Sequence, residues 1–287
     1  MLKTVWLTKE KKGEVVLLLG GFDGLHLGHR FLLSNAKRKG FPVGVMTIFG
    51  GKDGQSLFTE RERRLLFLES GADFSFELPF SEIKDLTPME FLKEIQAHFN
   101  VNTFVCGEDF RFGAKAAGTP NFLKEWGQVC VETYPLCKVD GEKVGTSTIK
   151  SALKAGGIER ANALLETPFF LLGEVIKDRQ IGRTIGFPTA NVLYPKEKFP
   201  LKKGVYETET VVDGKTYRGI TNYGARPTFQ DDTVLTETYL DGFEGDLYGK
   251  TLQIRFRRFL REIQAFDSVE SLKEQLRKDI GRVRNYD

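Results

Sequence analysis

Five aliphatic residues in a row, Val15 to Leu19, run straight into a glycine pair, Gly20 and Gly21. A strand that is apolar at every position has no side to offer to water, so the run predicts a strand covered on both faces, as in a parallel sheet layered between helices. The segments 43–48 (VGVMTI) and 102–106 (NTFVC) repeat the pattern, and 60–69 and 88–99 carry helical spacing between them. Strand and helix alternate to about residue 165. A further helix is expected to start at Ser147 or Thr148, whose hydroxyls can cap free amides, and to stop at Gly156-Gly157.

After Thr167-Pro168 the texture changes. Short β-rich segments at 171–176, 205–212, 234–240 and 252–260 are separated by glycine, proline and aspartate turns, which predicts an all-β module, a small Greek-key barrel. A last helix opens at Asp267-x-x-Glu270, a capping pair, and places Val269, Leu272, Leu276, Ile280 and Val283 on one face, suited to packing against that barrel. The expected fold class is α/β plus all-β, with one domain over 1–165 and a second over 166–287. A chain of 287 residues accommodates two domains at ~100–200 residues each. No internal repeat relates the halves, so they are different modules.

Charge and cysteine content narrow the function classes. Lys+Arg 42 against Asp+Glu 39 leaves a net charge of +3, without the cationic excess of a nucleic-acid binder, so no nucleic-acid partner is expected. A local basic pocket for a small phosphorylated ligand remains compatible with that balance. Cys106, Cys130 and Cys137 form no CxxC pair and are odd in number, which predicts buried thiols in a reducing compartment. The apolar run at 15–19 is too short to span a bilayer and no signal-peptide pattern surrounds it, so a cytoplasmic location without membrane partners is expected.

Two of the chain's three histidines, His26 and His29, lie in GGFDGLHLGH directly after the first strand. A strand, a glycine-rich turn and a helix start present free amides and a positive dipole end to an anion, and Gly24 and Gly28 let a phosphate approach the backbone. Two imidazoles there can donate hydrogen bonds to phosphate oxygens as a leaving pyrophosphate gains charge, which indicates nucleotidyl transfer. The bland alternative is a pair of structural, hydrogen-bonded histidines. Zinc needs further ligands, and the cysteines are isolated. The stretch resembles the GxFDGxHxGH signature of the nucleotidyltransferase superfamily, whose HxGH element binds ATP. It matches at Gly20, Phe22, Asp23, Gly24, His26, Gly28 and His29, and so implies a Rossmann-like N-terminal domain.

Two later segments, 106–113 (CGEDFRFG) and 145–150 (GTSTIK), extend the resemblance to the N-terminal module of the bacterial bifunctional riboflavin kinase/FMN adenylyltransferases. The family then implies a flavin contact at Asp109 and ATP-phosphate contacts at Thr146, Ser147, Thr148 and Lys150. Hydroxyls and a cation at a helix start suit a triphosphate, although simple N-capping would use the same residues. The chain departs from the family pattern at Lys150, which replaces an arginine and so loses the bidentate fork. It departs again at 46–52 (MTIFGGK), where the family shows something like TFxPHP; Lys52 stands there as a replacement charge. That departure leaves a second reading open, a riboflavin kinase with a weak or inactive adenylyltransferase module.

In the β-rich half, 182–192 (GRTIGFPTANV) sets Thr189 and Asn191 two residues apart, on one face of an extended strand. A hydroxyl and an amide carbonyl so arranged can bind Mg²⁺ and nucleotide phosphates, although a polar strand surface would look the same. GFPTAN resembles the nucleotide-binding signature of riboflavin kinases. The family's other segments follow in order as 204–206 (GVY), 222–229 (NYGARPTF), TETYL and 246–250 (DLYGK). The family's catalytic base falls on Glu237, and Tyr239 stands where a histidine often occurs. Two decoys are set aside. Gly249-Lys250-Thr251 lacks a P-loop's first glycine, since that position is Glu244, and the basic run Arg255 to Arg261 reads as a solvated barrel face.

The resemblance as a whole implies two ATP-dependent steps: riboflavin to FMN with release of ADP, then FMN to FAD with release of pyrophosphate. Riboflavin, FMN, FAD and ATP are the implied partners, with Mg²⁺ as cofactor and ATP as co-substrate. A flavin- or nucleotide-responsive binding protein without turnover is a third reading, disfavoured by the retained Glu237.

Overall fold

The computed structural model describes residues 2–50, 54–177, 182, 185–225 and 234–285. Lys52 and the motif positions 183–184 and 226–229 lie outside the described residues. The chain divides into two compact units, Met1–Thr148 with Leu164–Thr167, and Ile149–Ala163 with Pro168–Asp287.

The first unit is built on a six-stranded sheet. Its order is β1 (Lys3–Trp6), β4 (Phe74–Pro79), β3 (Val43–Phe49), β2 (Glu14–Leu19), β5 (Asn100–Gly107) and β6 (Cys130–Tyr134). Only β1 runs antiparallel. The five-residue aliphatic run is buried throughout, as its lack of polar positions requires. Capping boxes start the helices at α2 (Glu60–Glu69), where Thr59 and Glu62 satisfy each other's amides, and at α4 (Pro88–His98), with Thr87 and Glu90. One face of the sheet carries an aromatic core of Phe74, Phe76, Phe91, Phe99, Phe104 and Phe112, which uses a good part of the chain's phenylalanine content.

Topology fixes where a ligand can bind. From β2 the chain runs to β3 and β4 on one side, then returns to β5 on the other side of β2. A crevice opens at such a switch point, beyond the carboxyl ends of the two strands. There the Gly20–His26 turn leads into α1 (Leu27–Lys37), and the turn after β5 carries Asp109 and Arg111.

The second unit is a closed antiparallel barrel. Its strands run in the order β10 (Thr189–Leu193), β13 (Val234–Leu240), β12 (Lys215–Ala225), β11 (Gly204–Val212), β14 (Thr251–Arg261) and β9 (Phe170–Ile176), with β9 pairing back onto β10. A chain of buried hydroxyls, Thr208 to Thr221 to Thr238 at 2.9 Å and 2.9 Å, links β11, β12 and β13. On the outer surface α8 (Val269–Arg284) lays Leu276, Ile280 and Val283 against Val205, Ile220 and Tyr239. Arg261 holds the fully buried Asp279 at 2.8 Å, and Arg284 makes two 2.7 Å bonds to Asp241.

Several sequence expectations are corrected in detail. Ser268, not Asp267, caps α8, paired with Ser271; the helix therefore begins at Val269, which is 48% exposed and does not join the packed face. The helix expected at Ser147 or Thr148 starts at Thr146 (α6, Thr146–Ala155), and the Thr148 hydroxyl donates to the Lys143 carbonyl at 3.1 Å. Residues 149–163 compact with the barrel, where Asn162 accepts from the Phe169 amide and donates to the Phe256 carbonyl, both at 2.8 Å. The basic run on β14 is matched by acid, with Arg257 3.6 Å from Glu209 and Arg258 2.9 Å from Glu207, so it is not simply a solvated face. Of the three cysteines only Cys106 is buried, its thiol pushed up to about 11 by burial; Cys137 is half-buried and Cys130 exposed.

Candidate active sites

A crevice of about 340 Å³ lies at the switch point of the first unit. Gly20, Phe22, His26, Gly28, His29, Asp109 and Thr146 line it together with Arg111 and Lys143. The sequence reading missed the two cations. Arg111 sits inside the quoted CGEDFRFG, and Lys143 ends a short hairpin strand with only Val144 between it and GTSTIK, so proximity to a motif was the available signal. Lys143 is ion-paired with Asp109 across the crevice.

The imidazoles are fixed by local hydrogen bonds. His26 is the N-cap of α1, its Nδ1 accepting from the His29 amide at 3.2 Å, and the His29 Nδ1 is 2.8 Å from the Gly24 carbonyl oxygen. An amide N–H only donates, so His26 Nδ1 is bare; a carbonyl only accepts, so His29 Nδ1 carries a proton. Phe22 stacks on His29 at 4.1 Å and His29 on His26 at 3.6 Å. Burial, with the Lys143 charge second, lowers His26 to about 4. Burial and then His26 push His29 well below its ordinary value. Both rings are therefore neutral at pH 7 and hold opposite tautomers: His26 offers Nε2–H as a donor, whereas His29 offers a lone pair and donates only after gaining a proton. The expectation of two donors becomes one donor and one acceptor, and positive charge in the crevice comes from Lys143 and Arg111.

The depressed His26 gives the unit a pH signature. Unfolded, the ring binds a proton below its ordinary 6.5, and folded only below about 4. Between those values the unfolded state holds more protons, so stability falls as pH drops through the window. The loss is on the order of 3 kcal/mol at ~1.4 kcal/mol per pH unit. Urea melts from pH 7 to 4 should show it, and His26→Gln should remove the His26 share while the loss of the same sign from the depressed His29 remains.

Beneath the turn lies a fully buried arginine. Arg63 donates to the Phe58 carbonyl at 2.9 Å and to Thr47 Oγ1, the Ile48 carbonyl and Ser56 Oγ at 2.8 Å each, lies 3.6 Å from Asp23, and stacks over Phe49 at 4.1 Å. Thr47 in turn donates to the Phe22 carbonyl at 3.1 Å, where φ of +35° puts Phe22 in backbone space unusual for a side chain of its size. Arg63→Met should destabilise the unit by roughly 3 kcal/mol, because several buried acceptors and Asp23 lose their partner together. Urea denaturation beside the parent protein checks this.

Other predicted residues are placed elsewhere. Asp23 accepts from the Leu57 amide at 2.9 Å and belongs to the Arg63 cluster under the turn. Gly24 has φ of +153°, and a Cβ there would come within 2.8 Å of Phe58, so its role is conformational. Ser147 and Thr148 are in the first turn of α6 but do not line the crevice, and Lys150 stands 5.3 Å over the Phe199 ring in the second unit.

In the barrel, strand register assembles the second site. Asn191 on β10 directly faces Glu237 on β13, and Glu237 faces Asn222 on β12, so three polar side chains form a row across one face. That face is the outer one, since Thr236 and Thr238 on either side of Glu237 point to the opposite, buried side. Thr189 continues the face and, with Asn191, lines a cavity of about 580 Å³ that also includes Phe243, Asp246 and Tyr248. Asn191 is 6% exposed, and its Oδ1 is buried without a partner. A buried, unfilled carbonyl oxygen beside a threonine hydroxyl is a hard-oxygen donor pair that fits Mg²⁺. Tyr239 has a structural role: its ring packs beneath α8 and against Phe187 at 5.7 Å, with its hydroxyl 3.5 Å from Asp241. Lys250, the residue of the rejected P-loop, pairs with Asp213 at 3.1 Å.

Comparison with known proteins covers both units. A family model described as riboflavin kinase matches residues 165–286, and one described as FAD synthetase matches 8–148. A bifunctional riboflavin kinase/FMN adenylyltransferase of Bacillus subtilis is 33% identical over 293 residues, covering 95% of this chain and 92% of that protein. Its counterpart in Escherichia coli K12 is 33% identical, covering 95% and 93%. The crystal structure of a protein described as a macrolide-efflux protein from Streptococcus pneumoniae superposes with a TM-score of 0.86 at 28% identity, over 97% of this chain and 96% of that one. No helix among the described residues here is long and apolar enough to cross a membrane.

Proposed function

The chain belongs to the family of bifunctional riboflavin kinases/FMN adenylyltransferases, and on that premise we propose that residues 1–165 carry the adenylyltransferase and 166–287 the kinase. The protein uses ATP to phosphorylate riboflavin to FMN and to adenylylate FMN to FAD. Matches to both family models, and the intact histidine pair at the crevice, favour this over a kinase with an idle N-terminal module.

The observation that carries the kinase assignment is the register that sets Asn191 opposite Glu237. Glu237 takes the proton of riboflavin's 5′-hydroxyl; that oxygen bonds to the γ-phosphorus of ATP as the bond from phosphorus to the β,γ-bridging oxygen breaks, and ADP leaves. Thr189 and Asn191 would hold Mg²⁺, which supplies charge neutralisation to the triphosphate when bound. In the N-terminal crevice an FMN phosphate oxygen attacks the α-phosphorus of ATP and pyrophosphate leaves. His26 Nε2–H donates to the departing oxygen, and Lys143 and Arg111 offset its charge. Gly20, Phe22, Gly28 and Thr146 shape the ATP side and Asp109 the flavin side. Asp23 and Gly24 act by holding the turn. Ser147 and Thr148, in the first turn of α6, are proposed to complete the triphosphate contacts, and the expected contact from Lys150 is not carried over, since that residue belongs to the second unit. The setting proposed is the cytoplasm, in keeping with three unpaired cysteines.

Incubating the protein with riboflavin, ATP and Mg²⁺ and separating the flavins by chromatography tests the assignment. FMN should appear first and FAD second, with both suppressed by EDTA. FMN without FAD would remove the adenylyltransferase, and unchanged riboflavin would remove the kinase.

A further inference from the structure

The row across β10, β13 and β12 has a third member that no step above uses. Asn222 stands directly opposite Glu237, on the side away from Asn191. Its Oδ1, like that of Asn191, is buried without a hydrogen-bond partner. A buried amide oxygen left unfilled costs stability unless a ligand fills it, so two such oxygens on either side of one carboxylate mark two ligand groups.

Strand order tells the two apart. The oxygen on β10 lies beside Thr189, on the cavity that takes the phosphates and their cation. The oxygen on β12 lies on the other side of the base, and Val205, its partner across the next strand pair, belongs to the apolar patch under α8. Among the described residues no second oxygen donor like Thr189 stands there, because Ile220 occupies the equivalent position two residues along β12. A phosphate has no proton for a carbonyl oxygen at neutral pH, and a cation needs more than one such ligand. An alcohol has the proton and needs one acceptor. Because the 5′-hydroxyl goes to Glu237, the group next to it on a polyol chain is a secondary hydroxyl.

We propose that Asn222 Oδ1 accepts a hydrogen bond from a secondary hydroxyl of the alcohol substrate, making it the residue by which the kinase selects a polyol side chain over a simple primary alcohol. This rests on the kinase assignment of Glu237. It makes Asn222 a specificity residue that touches substrate and leaves proton transfer to Glu237.

The probe is a flavin carrying 5-hydroxypentyl in place of ribityl, which keeps the reacting alcohol and lacks the secondary hydroxyls. The parent protein should favour riboflavin over it by roughly 10-fold to 100-fold in kcat/KM, since the analogue leaves a buried acceptor unfilled. In Asn222→Ala the ratio should fall to within about threefold, through loss on riboflavin with little change on the analogue, while KM for ATP holds. The KM for ATP of the kinase step itself reports that the barrel is folded, since FAD formation from FMN reads only the first unit. Should Asn222→Ala turn over neither alcohol, Asn222→Asp decides, because it keeps an acceptor at the same place: retained selectivity supports the proposal and equal use of both alcohols overturns it. Equal use by the parent, or undiminished selectivity in Asn222→Ala, also overturns it while leaving the kinase assignment intact. A parent that phosphorylates neither alcohol overturns both.

Discussion

Glu237→Gln should lower FMN formation from riboflavin by ~10²–10⁴-fold and leave FAD formation from supplied FMN at the parental rate. Glutamine keeps the volume and one oxygen of the side chain but cannot take a proton, so the loss falls on kcat. The register that sets Asn191 and Asn222 opposite position 237 is a backbone property and should survive the exchange. ADP release with riboflavin as acceptor, measured beside pyrophosphate release with FMN as acceptor, separates the two activities in one preparation. Full kinase activity in the variant would remove Glu237 from the reaction.

His26→Ala gives the reciprocal pattern. FAD formation should fall by ~10²–10³-fold, the usual cost of one preorganised donor to a developing oxyanion, with FMN formation unchanged. Alanine also deprives the His29 amide of its acceptor at the start of α1, a loss of ~1 kcal/mol that a melting curve would register. His26→Asn distinguishes the two effects, since asparagine both caps a helix and carries an N–H. Restored stability with FAD formation still low would assign the rate loss to the imidazole Nε2–H. A parental FAD rate in His26→Ala would eliminate the role given to that ring.

How far the sequence could be read depended on whether a property repeats along the chain. The aliphatic run at 15–19 and the alternation of strand and helix after it specify a parallel sheet, because burial on both faces leaves a period-free apolar signature. The helical spacing over 60–69 coincides with α2 to the residue. Properties set by a single contact were not legible. Nothing in ERERR separates Arg63, which is buried, from Arg61, which is exposed. Ser268 and Asp267 are both good caps one residue apart, and the chain's entry into α8 decides between them. The opposed tautomers of His26 and His29 follow from two hydrogen bonds within one turn, which the spacing HxGH does not encode. Asn222 was visible as part of a motif, yet its place opposite Glu237 exists only once β12 and β13 are paired.

That pairing gives the Thr208–Thr221–Thr238 hydroxyls a further consequence. Side chains alternate along a strand, so sliding β13 by a single residue would turn the kinase inside out, sealing position 237 within the barrel and exporting a threonine. Each hydroxyl finds its neighbour only in the native alignment, and a slipped barrel would bury both unmatched hydroxyls and a carboxylate. The interior of this barrel thus proofreads its exterior: three residues that meet no substrate fix which side of the wall chemistry happens on.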